Sequence, residues 1–191
     1  MKLILIQILF FCLIPIGIFI LIKAIQLLKK AFNGKIVLEI PYLQQGGQFS
    51  VTNAGNFSIW QKGPMFKRTP IDKFKLYIYE VSTKEELKLH FSLLRPHTNN
   101  FSTGRMELYR FYAPIGNYKI KFREGSNVSK LESLVGNIIP LQSVDLTKYF
   151  IEIRESQSQL MTFLAIPMVL LGVFGTVGGF VLGLLADQII K

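Results

Sequence analysis

The sequence predicts a mainly β protein in which an antiparallel β-sandwich is inserted between an N-terminal and a C-terminal transmembrane helix. Three observations predict this fold class. Uncharged, apolar runs occupy residues 3–22 and 160–186. Between them, from Lys35 onward, apolar and polar residues alternate with a period of two. Turn-forming residues separate these stretches and no long helical pattern interrupts them, which is typical of antiparallel sandwiches and barrels.

The chain of 191 residues therefore divides into three segments. Residues 1–34 form the first transmembrane helix with an amphipathic extension, residues 35–155 the β-sandwich, and residues 156–191 the second transmembrane helix. About twenty apolar residues cross the hydrocarbon core of a bilayer as a helix. The two runs contain 20 and 27 residues, so both are long enough, and the second has length left for tilt.

The first run could instead be a cleaved signal peptide, because Lys2 supplies a minimal basic start. It exceeds the hydrophobic region of about 7–15 residues that such peptides have, and no cleavage site of small residues follows it. These features favour an uncleaved anchor. After the run, Lys23, Gln26 and Lys30 recur at helical spacing, which predicts that the helix leaves the bilayer and continues to about Gly34.

The β region contains about eight alternating stretches, each bounded by turn residues. Strands are predicted at residues 35–40, 47–51, 56–61, 74–81, 87–95, 105–112, 117–124 and 149–155. Because successive side chains of a strand point to opposite faces, alternation also assigns residues to the core. The inward residues include Phe57, Ile59, Phe74, Leu76, Ile78, Leu87, Leu89, Phe91, Leu93, Tyr118, Ile120 and Phe122.

Two stretches, NAGNFSIWQKG from Asn53 and APIGNYKIKFREG from Ala113, share the order glycine, asparagine, aromatic residue. The glycine, at Gly55 or Gly116, allows the chain to turn before the strand begins. The pattern resembles the corner before strand F in immunoglobulin-like and fibronectin-like sandwiches, where an aromatic side chain locks the incoming loop to the core. Tyr118 could supply a hydroxyl for such a bond, whereas the phenylalanine of the first copy could not. The resemblance implies a sandwich of this kind.

The formal charge is +10, and the segment 35–155 carries 17 basic and 11 acidic residues. No basic helix, RNA-binding motif or zinc-finger spacing accompanies this charge, so no nucleic-acid partner is expected. His90 and His97 form no metal-binding or catalytic pattern, and no nucleophile motif or phosphate-binding loop occurs. We therefore expect no enzyme activity, no metal and no cofactor.

Three aromatic residues at outward positions, Trp60, Tyr77 and Tyr79, are candidates for contact with a protein partner. Exposed tryptophan and tyrosine are typical anchors of protein interfaces. The same residues could equally lie beneath a loop or at the bilayer surface.

A basic stretch between residues 62 and 75 contains a single acid, Asp72. It could contact anionic headgroups or an acidic partner, because each basic residue near an anionic membrane contributes about 1 kcal/mol. An ordinary solvated loop is the alternative. The candidate residues are Lys62, Lys67, Arg68, Lys73 and Lys75.

The second apolar run carries glycines at a spacing of four residues, which lets membrane helices approach closely. We expect tight helix packing through Gly172, Gly175, Gly179 and Gly183. The partner could be the first helix of the same chain, another copy in a homo-oligomer, or a different membrane protein.

The two spans place the β domain on one side of the bilayer, and the sequence contains signals for both sides. The lysines after the first run favour the cytoplasm by the positive-inside rule. The basic start followed by an apolar run resembles a signal-anchor instead, and on this basis we expect an extracytoplasmic β domain.

These features lead to an expectation about function. We expect a non-enzymatic, two-pass integral membrane protein that is an accessory or structural subunit of a membrane complex, with the β-sandwich making protein contacts. Its partners would be the bilayer and other membrane subunits or further copies of itself. The alternative is a membrane-anchored binding module, such as an immunity protein against a toxin or a receptor for an acidic ligand.

Overall fold

A computed structural model describes residues 2–64, 74–100, 102–124 and 145–189. The chain is mainly antiparallel β-sheet, with a long apolar helix at each terminus. It forms two compact units: a helical unit, Met1–Asn33 with Ser158–Lys191, and a β unit, Gly34–Gln157.

The helical unit contains two helices that are each long and apolar enough to span a membrane. Helix α1 covers Lys2–Phe32. The second consists of α2 (Gln159–Val173), one π-helical turn (Phe174–Gly178) and α3 (Gly179–Ile189). At about 1.5 Å per residue, both are longer than the hydrocarbon core of about 30 Å.

Helix α1 continues beyond its uncharged run, as predicted. Its last turn carries Lys29 and Lys30, whose charges suit the negative end of the helix dipole. The final hydrogen bond runs from the Asn33 amide to the Lys29 carbonyl over 2.8 Å. The prediction of a helical extension to about Gly34 is confirmed.

The two helices pack through small residues that recur every seven positions. Seven-residue spacing keeps one face of each helix in contact with a partner as the pair supercoils to the left. The buried residues with this spacing are Gly17, Ala24 and Ala31 of α1, and Ala165, Gly172, Gly179 and Ala186 of the second helix.

The glycines of the second helix approach the backbone of α1 so closely that a side chain would collide. A Cβ atom at Gly172 would lie 2.9 Å from the Cβ atom of Leu21, and one at Gly179 would lie 2.7 Å from the carbonyl oxygen of Phe10. At Gly175 and Gly183 the nearest atoms, 3.2 Å and 2.7 Å away, also belong to α1. Of the three partners that the sequence leaves open, the structure places the first helix of the same chain against this stripe.

The described residues of the β unit form nine strands. In chain order they are β1 (Ile36–Pro41), β2 (Gly46–Val51), β3 (Gly55–Pro64), β4 (Phe74–Glu80), β5 (His90–Phe91), β6 (His97–Asn99), β7 (Thr103–Ala113), β8 (Gly116–Glu124) and β9 (Phe150–Ser156).

The strands form two antiparallel sheets. The six-stranded sheet has the order β1-β9-β3-β7-β5, with β6 also paired to β7. The three-stranded sheet has the order β2-β8-β4. Consecutive strands therefore often lie in different sheets, so most pairings join residues that are far apart in the chain.

One apolar cluster contains residues of both sheets, including Phe57, Ile59, Ile78, Tyr118 and Ile120. The sheets meet, for example, where the rings of Phe49 in β2 and Phe111 in β7 lie edge to face, with centroids 6.4 Å apart. The inward assignments of Phe57, Ile59, Leu76, Ile78, Tyr118, Ile120 and Phe122 are confirmed.

The corner before β8 has the hydrogen bond that its sequence predicts. The Tyr118 hydroxyl donates to the carbonyl oxygen of Pro114 over 3.0 Å. Burial of the ring raises the pKa of Tyr118, with the nearby carboxylate of Glu80 as a second cause. Neither Gly55 nor Gly116 has a positive φ, so the turns do not depend on the special backbone freedom of glycine.

The predicted strand 87–95 is not continuous, and part of its inward assignment is wrong. Leu87 and Leu89 pack against the core, but Phe91 and Leu93 are 48% and 76% exposed. Phe91 belongs to β5 at the edge of its sheet, and strand pairing ends before Leu93. The chain then turns at Arg95, which has a φ of 40°.

Helix packing can be tested at two glycines of the second helix that differ in the space around them. We expect Gly172→Ala to destabilise the helical unit by about 1–3 kcal/mol, because the added methyl group overpacks the contact with Leu21. Thermal unfolding of the detergent-solubilised protein would measure this. Gly178→Ala is the matched control, since no atom lies within 4 Å of its Cβ position. Equal stability of the two variants would contradict the close approach.

Candidate functional site

The outward face of the three-stranded sheet carries cations and tyrosines. Alternation buries Leu76 and Ile78 of β4, and Tyr118, Ile120 and Phe122 of β8, so the intervening residues point away from the core. These intervening residues are Lys75, Tyr77, Tyr79, Lys119, Lys121 and Arg123, and we term them the cationic tyrosine face.

The register of β4 and β8 arranges this face in three rows. Lys75 lies opposite Arg123, Tyr77 opposite Lys121, and Tyr79 opposite Lys119. Side chains directly opposite each other in an antiparallel pair have Cβ atoms about 4.5–5.5 Å apart. The four positive charges are therefore close neighbours rather than scattered surface residues.

The two tyrosine rings form part of the same surface. They lie nearly parallel, at 15°, with centroids 6.3 Å apart. The guanidinium carbon of Arg123 lies 5.2 Å from the centroid of Tyr77. Tyr77, Tyr79 and Arg123 are thus ordered against one another, and each retains donor groups for a partner.

No acidic residue takes an outward position on β2, β4 or β8 themselves, but the exposed Glu86 lies beside this face, directly opposite Tyr79. The outward positions of β2 are held by Gly46, Gln48 and Ser50. Glu80 on β4 and Glu124 on β8 occupy the strand positions that alternate with the outward ones. Like charges directly opposite each other destabilise a sheet. The Lys75–Arg123 pair is therefore a cost to folding that an anionic partner would offset.

Of the two predicted basic residues that the structure describes, one lies on this face. Lys75 belongs to it, whereas Lys67, Arg68 and Lys73 lie outside the described residues. Lys62 does not present a free charge: its ammonium group pairs with Glu39 at 2.9 Å and with Glu152 at 3.5 Å. The hydrogen bond to Glu39 is the main cause that raises the pKa of Lys62. Its assignment to an anionic surface is corrected accordingly.

Trp60 is not an exposed contact residue, although it does point away from the core between the sheets. Its exposed fraction is 0%. The indole nitrogen donates to the Ser58 hydroxyl over 2.8 Å, and the guanidinium group of Arg105 lies 5.5 Å from the ring centroid. Burial is also the main cause that lowers the pKa of Arg105. The assignment of Trp60 as a partner contact is therefore wrong.

Two buried ion pairs flank Trp60 on the neighbouring strands. Glu107 and Arg110 on β7 form one pair through two hydrogen bonds. Glu152 and Arg154 on β9 form the other, with Arg154 Nη2 2.6 Å from the carboxylate. Trp60 lies opposite both glutamates in register. The long side chains of β7 and β9 thus give β3 a second buried face.

The two arginines also hold the chain where it enters and leaves the β unit. Arg154 Nη1 donates to the carbonyl oxygen of Gly34 over 3.2 Å. Arg110 Nη1 donates to the carbonyl oxygen of Gln157 over 3.0 Å. Removing one partner of a buried ion pair costs about 3–5 kcal/mol, so these groups act in stability.

The sequence contained the signal for the three cations of β8, but alternation alone did not reveal their neighbours. Lys119, Lys121 and Arg123 alternate with core residues in an obvious pattern. Their importance depends on pairing with β4, which lies about 40 residues earlier in the chain. Among the described residues, no group of three or more histidine, cysteine or acidic side chains could hold a metal ion.

The burial of Trp60 has a spectroscopic consequence, because it is the only tryptophan of the chain. We expect blue-shifted emission that acrylamide quenches little in the folded full-length protein, with a red shift and strong quenching on unfolding. Strong quenching in the folded state would contradict its burial and restore its role as a surface contact.

No protein-family model matches this chain, and no curated protein is similar to it. The function of the cationic tyrosine face therefore has to be inferred from its own residues.

Proposed function

We propose that this protein is a non-enzymatic, two-pass integral membrane protein whose β unit binds an anionic partner. The cationic tyrosine face carries this proposal. It places four cations side by side with no acidic residue at an outward position of β2, β4 or β8, although such an arrangement lowers the stability of the sheet. Proteins commonly break a folding rule where a site requires it.

The membrane part of the proposal rests on the outward surface of the helical unit. Large apolar side chains are exposed along both helices, among them Phe19 at 61%, Leu160 at 65% and Phe174 at 71%. An exposed apolar surface of this extent is unfavourable in water and is what lipid would cover. Lys23 and Lys30 can extend their charged ends to the headgroups.

An accessory or structural subunit of a membrane complex is the second candidate. The apolar outward surface of the helices could receive a further span as well as lipid. The glycine stripe is not available for that contact, because α1 already packs against Gly172, Gly175 and Gly179. A subunit role would therefore use other helix faces together with the cationic tyrosine face.

We further propose that the β unit is a β-sandwich related to the immunoglobulin-like architecture. The shared core, the Tyr118–Pro114 bond and the pairing of β3 with β7 and of β4 with β8 support this assignment. The last two correspond to the B–E and C–F pairs of that fold. The other strands of the two sheets are placed differently from those of the immunoglobulin-like fold. Here the early strand β2 lies beside β8, and the final strand β9 lies beside β3.

Binding of an anionic polymer tests the proposed function. We expect full-length protein in nanodiscs of zwitterionic lipid to bind fluorescent poly-L-glutamate, and salt to weaken the binding. The double variant Lys119→Gln, Lys121→Gln should bind about fivefold more weakly, because it loses two exposed ion pairs. Fluorescence anisotropy would measure the affinities.

The matched control for this experiment is Lys35→Gln, Lys84→Gln, which removes the same charge from two exposed lysines elsewhere. It should bind as tightly as the natural protein. Equal weakening in both double variants would show that only net charge matters, and the site proposal would be rejected.

We propose that the β unit is extracytoplasmic, for the signal-anchor reason given by the sequence. In a Cys12→Ala background, a cysteine introduced at the exposed Ser102 should react with a membrane-impermeant maleimide on intact cells. Reaction only after lysis would place the β unit in the cytoplasm instead.

A further inference from the structure

The cations of β8 are spaced like the side chains of an extended peptide. Lys119, Lys121 and Arg123 occupy alternate positions of one strand, so their side chains emerge about 6.8 Å apart. Alternate side chains of a second extended chain have the same spacing. Carboxylates at every second residue of such a chain could therefore meet all three cations in one register.

The tyrosines suit a partner rich in hydrogen-bond acceptors. The ring of Tyr77 is already in contact with Arg123 and with the ring of Tyr79. Single-stranded nucleic acids bind largely by stacking their bases on open aromatic faces. Here the phenolic hydroxyl groups remain for a partner, and these donate well to carboxylates.

We propose that the cationic tyrosine face binds an extended acidic segment of a partner protein, with Asp or Glu at alternate positions along β8. The inference rests on the proposed function and specifies its partner. The carboxylates pair with Lys119, Lys121 and Arg123, while Tyr77 and Tyr79 donate hydrogen bonds from the neighbouring strand.

Two peptides of identical composition test this inference. One twelve-residue peptide alternates Glu and Thr, and the other carries the same residues in blocks of three. We expect full-length protein in zwitterionic nanodiscs to bind the alternating peptide roughly tenfold more tightly, because only that register satisfies all three cations without bending the peptide. Fluorescence anisotropy at low salt would measure both affinities.

Two variants link the preference to the face. Lys121→Gln should reduce the preference to about twofold or less, because it removes the central cation. Tyr77→Phe should weaken binding of the alternating peptide, because it removes the hydroxyl group and keeps the ring contacts. Lys35→Gln should change neither affinity. Circular dichroism and thermal unfolding of each variant would establish that it is folded.

The outcomes separate this inference from the proposed function. If both peptides bind equally well and Lys121→Gln weakens the binding of both, the extended-segment inference is overturned and the proposal of an anionic partner still holds. Binding of neither peptide, nor of poly-L-glutamate, would overturn both. Tighter binding of a twelve-nucleotide oligothymidylate than of either peptide would replace the acidic segment with a nucleic acid.

Discussion

The apolar core shared by the two sheets is the constraint on which the other features of the β unit depend. Burying Ile59, Ile78 and Ile120 removes apolar area from water, which contributes about 25 cal/mol per Å². Each strand must then send its alternate side chains outward. On β4 and β8 the outward residues become a charged surface, and on β3 they become a second buried layer.

The outward residues of β3 and those of β4 and β8 differ in how their charges are neutralised. Around Trp60, each glutamate is satisfied by an arginine on its own strand, so the buried charges are compensated within the chain. Around Tyr77, four cations have no acidic residue at an outward position of β2, β4 or β8, and Glu86 lies only at the margin, opposite Tyr79. Compensation within the chain indicates a structural role. On the exposed surface, the partner that we propose would supply the compensating charge.

Local patterns were sufficient for most strand positions and most inward residues, because the period of two is a property of a single strand. They failed where the outcome depended on neighbours. Trp60 was assigned correctly to the face away from the core, yet its burial follows from long side chains on β7 and β9, about 50 and 90 residues later. The exposure of Leu93 likewise follows from where strand pairing ends. In the helices, the four-residue glycine pattern was visible, but the seven-residue pattern emerges only when alanines of both helices are found buried together.

The hydrogen bonds of Arg110 and Arg154 to Gln157 and Gly34 give the β unit a mechanical property. A force applied to the β unit through the chain acts at these two residues, because the chain enters and leaves the unit there. On the C-terminal side the chain leaves from β9, which lies inside the six-stranded sheet, and Arg110 of β7 holds Gln157. On the N-terminal side the chain enters the edge strand β1, and the bond from Arg154 connects Gly34 to β9, so that tension is shared by two strands.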